Sequence, residues 1–164
     1  MKLPDGFALK NSRKRKTRQK KTIEDISDIV LDYELPRGYY LKASYDYTSE
    51  LNDDITRSPY GFLIPRRFKR VFRTQYKHVE SKTQVVTVDI FEFESKKFVL
   101  EKLDKFYEAR NKLNNNNSTE YDCLVKGRYV VFLKTFWTRE GELKPFIEDY
   151  KTKFNMKEIT FKLK

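Results

Sequence analysis

The sequence predicts an α+β protein organised around a βαββαβ unit in its second half, and three observations carry that prediction. Residues 126–137 open on a Lys126-Gly127 turn signal and run on as the longest β-branched and aromatic stretch, as a central strand buried on both faces would. Apolar residues at helical spacing lie both before and after this run. Alternating strands then open the unit at residues 84–93 and close it at residues 157–164.

Three stretches are expected: a flexible basic arm over residues 1–21, a helix and two strands over 22–82, and the βαββαβ unit over 83–164. Residues 10–21 contain no apolar side chain, so they cannot bury a core face and are expected to order only on a partner. Thr22-Ile23-Glu24-Asp25 resembles a helix start, and Ile23, Ile26, Val30 and Tyr33 predict an amphipathic helix over 23–34. Leu35-Pro36-Arg37-Gly38 ends it. Tyr39, Leu41, Ala43, Tyr45 and Tyr47 then alternate with polar residues, which predicts one half-buried strand. Residues 49–63 are polar and turn-rich and read as a loop. Phe68, Arg70, Phe72, Thr74 and Tyr76 alternate along a second strand.

In the βαββαβ unit, Val86, Val88 and Ile90 share one face of the first strand. Ser95 caps a helix carrying Val99, Leu103, Phe106 and Leu113, with Leu100 and Tyr107 widening the stripe. Asn114 to Asn117 breaks that helix. Residues 121–125 and 128–137 form a hairpin, and Leu143, Phe146, Ile147, Tyr150 and Phe154 form a second helix that Pro145 starts. With right-handed crossovers this order gives a ferredoxin-like split βαβ sandwich, both helices on one face and the closing strand beside the first. Val86, Val88, Ile90, Ile159, Phe161 and Leu163 then belong under the helices. Phe91, Phe93, Phe132, Lys134 and Phe136 belong on the other face.

Residues 126–133 resemble the third-strand motif of the RNA-recognition-motif family. Lys126, Gly127 and Val131 fit it, while Arg128, Val130 and Leu133 stand at its aromatic positions and Tyr129 at its small one. The resemblance is one of topology over about half the chain, and the family's stacking residues do not carry over; a face bearing Phe91, Phe93, Phe132 and Phe136 beside Lys134 could itself stack bases. The competing expectation, which we favour, is that the strand over 39–47 covers that face, because exposed patches so apolar are usually buried.

The charge is unevenly placed. The net +11 divides into +8 over residues 1–21, −7 over 22–56, +7 over 57–77 and +3 over the remainder. Such segregation points to a polyanionic partner. Arg13, Lys14, Arg15, Lys16, Arg18, Lys20 and Lys21 are the expected phosphate contacts of the arm. Arg66, Arg67, Lys69, Arg70 and Arg73 are expected to form a second patch. The alternative is that the arm or the second block neutralises the acidic segment within the molecule.

Function is otherwise faint in the sequence. His78 is the sole histidine and Cys123 the sole cysteine, which leaves no metal-ligand set and no disulfide. There is no phosphate-binding glycine loop and no nucleophile elbow, so no catalysis, cofactor or small-molecule substrate is expected. No membrane is expected either. The expected function is non-enzymatic nucleic-acid binding, RNA ahead of DNA, within a larger nucleoprotein assembly in the cytoplasm, or in the nucleus of a eukaryote. A protein–protein adaptor or structural subunit using the aromatic face is the alternative.

Overall fold

The computed structural model describes residues 23, 25–53, 60, 64–65, 67–81, 83–114, 120–135 and 142–159. The expected arm, Phe136 and the end of the closing strand lie outside them. The described residues form an α+β fold with a six-stranded antiparallel sheet and four α-helices. The strands are β1 (Tyr39–Asp46), β2 (Phe68–His78), β3 (Val85–Phe93), β4 (Glu120–Lys126), β5 (Tyr129–Thr135) and β6 (Lys157–Glu158). The helices are α1 (Thr48–Asp53), α2 (Lys96–Glu101), α3 (Leu103–Asn114) and α4 (Lys144–Phe154). None of them is long and apolar enough to cross a membrane.

Strand order is β1-β2-β3-β5-β4-β6. The β3–β5–β4 portion follows the expected split βαβ arrangement, but the closing strand does not. β6 pairs with β4 through Leu124–Glu158 and Val125–Lys157, whereas the ferredoxin-like layout puts it beside β3. The reason is occupancy: β2 already runs antiparallel along that side of β3, from Phe68–Phe93 to Lys77–Val85. The second crossover therefore travels the opposite way across the sheet. A right-handed crossover with reversed direction places its helix on the opposite face.

The sheet is accordingly covered on both sides. On one side Phe98 and Val99 of α2 and Phe106, Ala109 and Leu113 of α3 pack on Phe91, Phe93, Cys123, Val130 and Phe132. On the other, Phe146, Ile147 and Tyr150 of α4 pack on Val86, Val88, Ile90, Val131 and Leu133. The pleat of β3 and β5 is as expected, and Val86, Val88 and Ile90 have α4 above them, while Phe161 and Leu163 lie outside the described residues. Ile159, expected beside them, belongs to the opposite core. Every residue of β5 is buried, as a strand covered on both faces requires.

Local chemistry explains the ends of these elements. The Ser95 Oγ accepts from the Phe98 amide at 3.1 Å, capping α2. The predicted single helix breaks at Lys102, which has φ −110° and ψ 14°, and Leu100 is exposed, outside the packed stripe. Gly127 turns the β4–β5 hairpin at φ +58°, a left-handed value that favours glycine in two-residue turns. Pro145 sits in the first turn of α4, and Asn155 at φ +56° ends it.

Three elements of the first half differ from expectation. The predicted helix over 23–34 is a single 3-10 turn, Ile26–Ile29, capped reciprocally by Asp25 and Asp28. So short a segment gains little from helix propagation, and packing decides its shape. It buries Ile26, Ile29 and Leu31 under the sheet, and Leu31 O accepts from the Tyr76 hydroxyl at 2.8 Å. The predicted loop over 49–63 begins with α1, which buries Leu51. In β1 the register shifts between Leu41 and Ala43, so Tyr39 and Leu41 face one side while Ala43 and Tyr45 face the other. Lys42 is the extra residue, and a one-residue bulge inverts the pleat beyond it.

Candidate functional site

Alternation along β2 separates the residues expected to form one cationic patch. Arg66 lies outside the described residues, as do Arg13 through Lys21. Arg73 pairs across the ladder with Asp89, on the side covered by α2 and α3. Arg70 is an odd number of residues away and points to the other side. There it meets Asp25 at 3.0 Å and Asp46 at 3.6 Å. Arg67 reaches Glu94 at 2.9 Å, and Lys69 is exposed at the irregularity between Phe68 and Arg70. Much of the second basic block is thus matched to carboxylates, two of them from the acidic segment.

Arg73 belongs to a polar centre set into the covered sheet face. Its Nε and Nη2 donate to Asp89 Oδ1 and Oδ2 at 2.7 and 2.8 Å, a bidentate pair. The Tyr60 hydroxyl donates to the second of those oxygens. The guanidinium carbon lies 3.9 Å from the centroid of the Tyr47 ring, and Lys134 Nζ lies 5.6 Å from that of Tyr60. Asp89 has no solvent exposure. Burial works against the Arg73 charge, but the hydrogen bond and charge of Asp89 outweigh it and hold the guanidinium above its ordinary pKa. Burial pulls the Lys134 ammonium below its usual value, against the attraction of Asp89. Burial and the Asp89 charge push Tyr121 up to about 12.

This centre is closed. Its carboxylate is bound by three donated hydrogen bonds and removed from water, so it fastens the sheet to the segment bearing Tyr60. The sequence does hold a signal for it: Asp89 interrupts the apolar run of β3, and a charge there requires a cation. Arg73 was legible as a cation and not as that partner.

The aromatic face is likewise occupied. Phe91, Phe93 and Phe132 have no solvent exposure. The cover comes from α2, α3 and Tyr60, whose ring lies 5.3 Å from Phe91 and 5.6 Å from Phe132. It does not come from the strand over 39–47, which instead extends the sheet beside β2; only Tyr47, just past β1, packs at the margin. Burial of each Phe contributes roughly 1.5–3 kcal/mol, which drives this closure. Comparison of the chain with protein-family models, curated proteins and solved structures finds no match in any of the three.

Proposed function

We propose that this chain is a non-enzymatic nucleic-acid-binding protein, RNA ahead of DNA, acting as a component of a larger nucleoprotein assembly. The carrying observation is the composition of residues 10–21, where eight of twelve residues are Lys or Arg and none is apolar. Such a stretch has no core to join, and each phosphate it neutralises releases counterion. The arrangement of the body supports giving the arm the larger share. Arg70 and Arg73 already face carboxylates, whereas Arg13, Lys14, Arg15, Lys16, Arg18, Lys20 and Lys21 stand in a stretch with no acidic residue. The adaptor alternative loses its main surface, since Phe91, Phe93 and Phe132 are buried within the chain.

The test is binding of mixed-sequence RNA and DNA across a salt series. Affinity is expected to fall steeply with salt, and deletion of residues 10–21 to flatten the slope. Absence of binding by the full chain at low salt would overturn the proposal.

A further inference from the structure

We infer that the folded body carries its own phosphate-docking cleft, where the start of β2 meets α2, and this rests on the nucleic-acid function proposed above. Arg67, Lys97 and Lys102 stand around an open cleft of about 530 Å³, with Glu94, Ser95 and Phe98. That volume suits a nucleotide-sized group. Phe98 is 8 % exposed and stacks on Phe93, with centroids 5.6 Å apart. The Arg67 guanidinium carbon lies 5.7 Å and the Lys102 ammonium 6.0 Å from the Phe98 centroid. Two cations therefore lie against one ring, with Arg67 Nη2 also donating to Glu94 at 2.9 Å.

The charge balance favours an anion. Lys97 and Lys102 make no ion pair among the described residues, and the pair between Arg67 and Glu94 is exposed on both sides (69 % and 43 %). Exposed pairs of this kind are weak and readily exchanged. A backbone phosphate offers Arg67 the same two-oxygen geometry that a carboxylate does, and its negative charge meets both lysines. Glu94 and Glu101 bring the cleft near neutrality without matching all three cations. The occupant is a phosphate of the nucleic-acid backbone, bound without regard to base.

The test is fluorescence anisotropy of a labelled single-stranded RNA with the full chain, Lys97→Gln/Lys102→Gln, Arg67→Gln, and an exposed control, Lys144→Gln/Lys157→Gln. Thermal melts check that each variant stays folded. The cleft variants are expected to weaken binding equally for different sequences and to lower the salt slope by about 0.7–1 for each phosphate no longer neutralised, the control leaving both unchanged. If the full chain binds and the cleft variants match the control, the cleft is overturned and the arm remains. If the full chain does not bind, the nucleic-acid function itself is overturned. Competition by poly-glutamate as effective, charge for charge, as unlabelled RNA would overturn the phosphate assignment.

Discussion

Arg73 grips Asp89 through Nε and Nη2 of its guanidinium, at 2.7 and 2.8 Å, in the middle of a sheet face that helices cover. Losing one partner leaves the other charge unpaired. Arg73→Ala is expected to destabilise the fold by about 3–5 kcal/mol, whereas Arg73→Met with Asp89→Leu should be far milder. Urea denaturation of the two variants checks this, and equal losses would refute it.

Phe132 is a test of the covered face itself. It has no solvent exposure and touches Tyr60 and Phe91. Phe132→Ala is expected to cost about 3–5 kcal/mol as a core truncation. A near-neutral variant that binds RNA less well would restore the base-stacking surface.

At the β4 edge, burial raises the Asp122 pKa to about 6, with Glu158 and Glu120 adding to the rise and Arg110, 3.3 Å away, opposing it. The folded state holds this proton more tightly than the unfolded chain does. Its stabilising effect is complete below the ordinary value of 3.8 and is lost as pH rises through about 6. Asp25 has the opposite sign: the Ser27 hydrogen bonds lower it to about 2, so its contribution is present above 3.8 and fades on acidification. Between pH 4 and 7 the wild type is expected to lose about 1–2 kcal/mol that Asp122→Asn retains. Denaturant midpoints across that range measure it, and parallel curves would count against it.

Lys153 ties the end of the segment ahead of β1 to α4. Lys153 Nζ donates to the carbonyls of Tyr33 and Glu34 at 2.9 and 2.8 Å and lies 3.6 Å from Asp149. Glu34 is held at φ +49°, a left-handed conformation that non-glycine residues rarely adopt. Lys153→Ala is expected to cost about 2–3 kcal/mol. Amide exchange should rise first around Tyr33–Leu35, and uniform protection there would rule the tether out.

The second half of the fold was legible because its signals are periodic and local: the Ser95 cap, the Gly127 turn, Pro145, and the doubly buried run of β5. The edge position of β6 was not, since nothing within residues 83–164 records that β2 occupies the side of β3. Lys42 reads as an ordinary polar residue in perfect alternation, so the bulge that reverses β1 beyond it left no mark. Ile23, Ile26, Val30 and Tyr33 fit a helical stripe, yet Asp25 and Asp28 cap a single turn and burial of Leu31 takes over. The cationic block was legible as composition, while its division between two faces depends on register with Asp89, Asp25 and Asp46.

The sheet acts as a partition between two separate cores. Phe132 and Leu133 are covalent neighbours, yet one belongs to the core beneath α2 and α3 and the other to the core beneath α4. A void opened on one side cannot be filled by side chains from the other, because a hydrogen-bonded ladder lies between them. Phe132→Ala and Leu133→Ala should therefore add to within about 0.5 kcal/mol, as remote sites do, despite sharing a peptide bond. Phe132→Ala with Phe91→Ala, far apart in sequence but on one side, should not. Thermodynamic coupling in this protein is thus expected to follow the face of the sheet and not distance along the chain.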